Sequence, residues 1–228
     1  MDQVLEKSFA FSFSRLKAFE DCPRRYYETS VLKNKWPEEK SSMLVWGDEV
    51  HAAMAHALRT GNSLPTKFHI YQHWVDDLLE EPGELLVEDD CQWAINKQLK
   101  PTPWFAKDVW MRAIADAIVL NPQKALVIDW KTGKSLNGDP VQLIMTSLML
   151  FCHFPKLQTI EAKFIWLTEN EETVLEIKKK RDVIIQWTEL LPRVKRLEKA
   201  TRDNKFPPQP GRFCRSWCPV KSCEYHGK

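Results

Sequence analysis

The stretch Val127-Ile128-Asp129-Trp130-Lys131-Thr132-Gly133 decides how this chain is read. Its β-branched and aromatic residues suit a strand. Side chains alternate across a strand, so Asp129 and Lys131 share one face while Ile128 and Trp130 take the other. Taken alone, an Asp and a Lys two residues apart are an ordinary ion pair, common at surfaces and worth little. The flanking sequence argues for more. Upstream, across an Asn121-Pro122-Gln123-Lys124 turn, Arg112-Ala113-Ile114-Ala115-Asp116-Ala117-Ile118-Val119 is an apolar strand interrupted by one carboxylate. Burying a lone charge is costly, so Asp116 needs a partner or a metal. Two strand carboxylates converging beside an ammonium make a site for a hard divalent cation. There a lysine can orient or activate a water while the cation withdraws charge from a phosphate.

Three strands are expected in the middle of the chain: Leu85 to Asn96, Val109 to Leu120 and Ala125 to Thr132. Asp139 as cap and Pro140 at the first helical position open a helix from Val141 to about Cys152. Strands near Thr159 to Leu167 and Thr173 to Ile177 follow. A long helix then runs from Lys180 to about Asn204, and Pro192 should kink or split it. Ahead of the strands, Ser14 is expected to cap a helix carrying Leu16 and Phe19, and Asp21 a short one through Tyr27. A third helix aligns Gly47, His51, Met54 and Leu58 and ends at Thr60-Gly61-Asn62, and a fourth covers Phe68 to Leu79. This order describes a single α/β domain over residues 1–228, a sheet flanked by helices. A cysteine-rich lobe over 206–228 is expected to pack with the N-terminal helix around Cys22.

Composition narrows the classes. Of 228 residues, 43% are hydrophobic and 28% charged, which excludes a disordered or collagen-like chain. The longest apolar run, Leu143 to Cys152, falls well short of the roughly 20 residues that span a bilayer. The stretch Met1 to Lys7 lacks the basic-then-apolar pattern of a secretory signal, so a cytoplasmic or other intracellular, reducing compartment is expected. In such a compartment six cysteines suggest metal or chemistry before disulfides. No G-x-x-x-x-G-K-[ST] or G-x-G-x-x-G occurs, which disfavours nucleotide-driven motors and dinucleotide enzymes. The net charge of +2 hides an asymmetry: residues 178–228 hold 14 Lys/Arg against 5 Asp/Glu, leaving −7 on the rest. A basic quarter on an acidic body suits a polyanion partner, although a solvated lysine-rich helix gives the same count.

Asp116 followed by Asp129-x-Lys131 is similar to the PD-(D/E)XK nuclease core, in the branch of RecB/AddB-type nuclease domains and CRISPR-associated adaptation nucleases. Other stretches match that branch in order. Gly47-Asp48-Glu49-Val50-His51 resembles its helical G-x-x-x-H element, whose His contributes to the metal site. Gln142 matches the glutamine that opens the helix after the D-x-K strand. Phe13-Ser14-Arg15-Leu16 through Cys22-Pro23-Arg24-Arg25-Tyr26 resembles its S-x-L…C-P-x-x-Y/F segment. The chain departs from the pattern at Ala115, where the branch has Gly, and at Thr146, where it has Tyr. Glu88 falls on the first expected strand, where related sequences often carry an acid; it is left outside the site.

The resemblance implies a restriction-endonuclease-like α/β fold and a Mg²⁺- or Mn²⁺-dependent DNA nuclease, an exonuclease acting on free ends in DNA processing, recombination or repair. His51, Asp116 and Asp129 would hold the cation, with Asp116, Asp129, Lys131 and Gln142 as catalytic residues. A helicase or recombination partner and no membrane are implied. The alternative is a non-catalytic nucleic-acid-binding or helicase–nuclease accessory module on the same fold. Cys214, Cys218 and Cys223, with Cys22 far upstream, resemble the one-plus-three set that holds a [4Fe–4S] cluster in this branch. Spacing alone leaves a rival: Cys214, Cys218, Cys223 and His226 make a Cys3His zinc site. Cys91 and Cys152 are expected to be free and buried.

Overall fold

The computed structural model describes residues 9–34, 41–134 and 136–228, so the Met1 to Lys7 stretch lies outside the described residues. In chain order the elements are α1 (Phe13–Asp21), α2 (Pro23–Tyr26), α3 (Ser42–Thr60), α4 (Gln72–Glu80), β1 (Glu84–Val87), β2 (Gln92–Asn96), β3 (Pro101–Thr102), β4 (Val109–Ile114), β5 (Ala117–Leu120), β6 (Lys124–Lys131), α5 (Val141–His153), β7 (Thr159–Trp166), β8 (Glu171–Lys178) and α6 (Lys179–Asp203). The chain forms two compact units, Lys40–Trp187 and a terminal one of Met1–Glu39 with Thr188–Lys228; the division falls within α6.

The Lys40–Trp187 unit is built on a five-stranded sheet of order β1-β5-β6-β7-β8. β6 and β7 run parallel and the other pairs antiparallel, so the sheet is mixed. The apolar run of β6 follows from burial on both faces. Ala125 and Val127 pack with Leu143, Leu150 and Phe151 of α5. Ile128 and Trp130 pack with Val50, Met54 and Leu58 of α3 and Val75 and Leu78 of α4. Gly61, at φ 69°, ends α3 in the left-handed conformation that a residue with a Cβ rarely adopts.

Two long strands expected from the sequence are each two strands. Leu85 to Asn96 breaks at a 3₁₀ turn, Glu88–Cys91, and Val109 to Leu120 breaks at Ala115 and Asp116. The breaks lie side by side: the Glu88 N–H donates to the Asp116 carbonyl (3.0 Å) and the Ala115 N–H to the Cys91 carbonyl (3.3 Å). The paired strands thus bend together, β1 and β5 staying in the large sheet while β2 and β4 enter a three-stranded sheet of order β3-β2-β4. Apolar residues on both sides of each break concealed the bend. Its marks are polar or acidic residues, Glu88 among them at φ 52°.

Helix boundaries also shift. Ser12, rather than Ser14, caps α1 through its side chain. Asp21 ends α1 and pairs with Lys17 and Arg25, so it does not cap α2, which starts at Pro23. The expected helix from Phe68 begins as a 3₁₀ turn, Thr66–Tyr71, before α4. Pro140 occupies the cap position of α5, with Asp139 accepting from the Val141 N–H. α6 continues through Pro192 as one helix.

The terminal unit gathers α1, α2 and the tail around Phe206, whose ring stacks on Tyr27 at 4.7 Å and meets Phe19 and Tyr26 at 6.5 and 6.1 Å. Arg193 grips Glu20 with both Nε (2.8 Å) and a terminal nitrogen (2.5 Å). Such two-pronged pairing fixes orientation as well as charge.

Candidate metal centre

The double bend in the strands creates the site. It lifts Asp116 out of the ladder so that its two oxygens face different partners. Oδ2 accepts from the Trp130 N–H at 2.6 Å, tying the bend to the end of β6. Oδ1 lies 3.1 Å from Nδ1 of His51 on α3. Gly47, one turn earlier on α3, lets the helix approach: a Cβ there would stand 3.1 Å from the Thr132 hydroxyl just past β6. The Gly-to-His spacing thus positions the imidazole.

Asp129 and Lys131 share the α5 face of β6, where Gln142 projects from the first turn of α5. Lys131 Nζ donates to Gln142 Oε1 at 2.9 Å, and Gln142 Nε2 donates to Asp129 Oδ1. The ammonium also pairs with the buried Asp129 Oδ2 at 2.5 Å. Beneath the ammonium, 4.7 Å away, is the Phe164 ring, against which Gly138 packs so closely that a Cβ would come within 2.5 Å.

Glu88 joins the group. Ligand atoms of His51, Glu88 and Asp116 lie within 4.8 Å of one another, the one such set of three or more among the described residues. The cation ligands expected from sequence were His51, Asp116 and Asp129. Glu88 was set aside because the sequence placed it in a regular strand; in the 3₁₀ turn it stands beside Asp116. The signal available was the acidic run Glu88-Asp89-Asp90, which does not fit a buried strand.

The site's electrostatics are those of crowded anions. Burial and the neighbouring Asp116 push Asp129 up to about 6, against the pull of Lys131. Burial and Asp116 likewise raise Glu88. Burial alone would lower His51, but the hydrogen bond to Asp116 and the charges of Asp116, Asp129 and Glu88 outweigh it and raise it. A concentration of negative charge that the fold itself does not neutralise fits a divalent cation with oxygen and imidazole ligands. His51, Glu88 and Asp116 would hold it.

Cys22, Cys214, Cys218 and Cys223 line one small cavity of the terminal unit together with His226. N–H groups of Gln209 and Gly211 point at the Cys22 and Cys214 sulfurs, at 3.4 and 3.5 Å. All six cysteines are free. Cys91 is fully buried, and burial with Asp90, Asp116 and Glu88 nearby pushes its thiol up to about 12. Cys152 is only half-buried, because it lies near the end of α5. No helix among the described residues is long and apolar enough to cross a membrane.

A search of curated proteins finds no match. Among solved structures, the chain is similar to SSO0001, at 17% identity and a TM-score of 0.48 over 98% of this chain and 90% of that one. It is also similar to a putative exonuclease from Eubacterium rectale, at 15% identity and 0.47 over 95% and 92%. A family model of the PD-(D/E)XK nuclease superfamily matches residues 10–223, nearly the full length. The chain therefore belongs to the PD-(D/E)XK nuclease superfamily.

Proposed function

We propose that this chain is a divalent-metal-dependent deoxyribonuclease that digests DNA from its ends. The observation that carries the reading is the convergence of two groups on one bend: His51, Glu88 and Asp116, with ligand atoms within 4.8 Å, and the linked trio Asp129, Lys131 and Gln142. A bound Mg²⁺ or Mn²⁺ polarises a phosphate oxygen and lowers the pKa of a bound water. His51, Glu88, Asp116 and Asp129 would bind the ion. Gln142 orients Asp129 and Lys131 through its two amide atoms. Lys131 stabilises charge developing on the phosphate and positions the attacking water. Lysine and arginine side chains contact the backbone phosphates, so affinity falls with salt. End-directed digestion is carried by the family resemblance.

The four cysteines are proposed to bind a [4Fe–4S] cluster. Support comes from four thiols on one cavity, with N–H groups directed at two of the sulfurs. Anaerobically isolated protein should be brown and contain iron and sulfide; stoichiometric zinc without iron would transfer the site to Cys3His. The activity is tested by digesting DNA labelled at either end with Mn²⁺ or Mg²⁺. Mononucleotides or short products released from one labelled end support the reading, and internal cuts without end release overturn its exonucleolytic part.

A further inference from the structure

The three-stranded sheet carries a feature that the metal centre does not use. Between β3 and β4, Phe105 is 89% exposed, on a loop that is tightly braced. Arg112 donates from Nε and a terminal nitrogen to the Trp104 carbonyl, at 3.0 and 2.8 Å, and its guanidinium lies 5.3 Å over the Trp104 ring. The Ala106 N–H donates to the Pro103 carbonyl at 3.0 Å. Asp108, the loop's acid, accepts from Asn96 and Thr102 at 3.1 Å each. With Trp104 fixed inward, its neighbour Phe105 is presented outward on a rigid support. Exposed Lys97, Lys100 and Lys107 surround it in sequence, and Asp108 is engaged internally.

An aromatic side chain has only two rotatable bonds, and on a braced backbone it loses little entropy on binding. Combined with ammonium groups, it matches the two demands of a single strand, stacking for a base and charge for the backbone. Duplex DNA offers the charge contact alone, its base faces being already stacked. The loop is also near the metal centre: Arg112, which holds Trp104, lies on β4 four residues before Asp116 at the bend, at most on the order of 13 Å of chain.

We propose that Phe105, with Lys100 and Lys107, is a stacking platform for an unpaired nucleobase, which makes single-stranded DNA the substrate form engaged next to the metal centre. This rests on the nuclease reading for its substrate, but the test does not depend on cleavage. Binding of a fluorescent single-stranded oligonucleotide and of a duplex of equal length is measured in EDTA, where no digestion occurs. Phe105→Ala should weaken single-strand binding by about 5- to 100-fold and leave duplex binding and the melting temperature nearly unchanged. Phe105→Trp should restore it. The double change Lys100→Glu with Lys107→Glu should weaken binding and flatten its salt dependence. Single-strand affinity of Phe105→Ala within twofold of the parent overturns the proposal, as does equal loss on duplex or failure of Trp to restore binding. Absence of cleavage with Mn²⁺ would instead overturn the nuclease reading and leave this binding result standing.

Discussion

Removing a carboxylate from the metal centre should make the metal-free protein more stable. Asp129 is 7% exposed, and burial beside Asp116 pushes its carboxyl up to about 6 from the 3.8 of a free aspartate. That difference corresponds to about 3 kcal/mol, stability present below the unfolded pKa and lost as pH rises through the folded one. Asp129→Asn removes that loss above pH 6. It also removes the counter-charge of Lys131, which returns part of the gain and leaves about 1–2 kcal/mol. For a chain of this length that is a rise in Tm of about 2–8 °C. The assay is a thermal melt in EDTA at pH 7.5 and again near pH 4, where the two proteins should converge because the parent's Asp129 is then protonated. Saturating Mn²⁺ should reverse the order, since the ion stabilises the protein that binds it more tightly. A variant that melts below the parent at pH 7.5 in EDTA, or a gap that persists unchanged at pH 4, would refute the reasoning.

Titration calorimetry with Mn²⁺ should show affinity climbing as pH rises through 6 toward 7.5, because Asp129, Glu88 and His51 hold raised pKa values and must lose protons to bind the ion; a flat profile would contradict the ligand set. Gly138→Ala should drive Phe164 against the Lys131 ammonium, costing about 1–3 kcal/mol and lowering activity without touching a metal ligand; a parent-like melt and turnover would contradict that coupling. Cys22→Ser should lose iron together with thermal stability, since a cluster joining Cys22 and Cys214 closes a loop of 192 residues, worth on the order of 4–5 kcal/mol by analogy with a cross-link; full iron and an unchanged melt would exclude Cys22 as a ligand.

The sheet and its helices were legible because period and burial agree. The β6 run reads as a doubly buried strand, and α5 opens one residue after its Asp-Pro signal. The pairing of Asp129 with Lys131 followed from strand alternation alone. What the sequence concealed was the bend. Val87, Ala94, Ala113 and Ala117 are all compatible with uninterrupted strands, and only pairing between distant segments shows that both chains break at one level. Glu88 was missed for that reason, its role depending on a turn that Asp116 helps to form. The C-terminal charge count was readable, but not its use: Arg193 and Arg196 are engaged with Glu20, and Lys199 and Arg202 with Asp203.

If one bend assembles a catalytic metal site, DNA cleavage in Mn²⁺ by the parent, Asp116→Asn and Lys131→Ala, with metal binding followed in parallel, will show it. Cleavage by the parent, none by either variant, and weakened Mn²⁺ binding only for Asp116→Asn are expected. Parent-level cleavage by either variant would contradict that assembly.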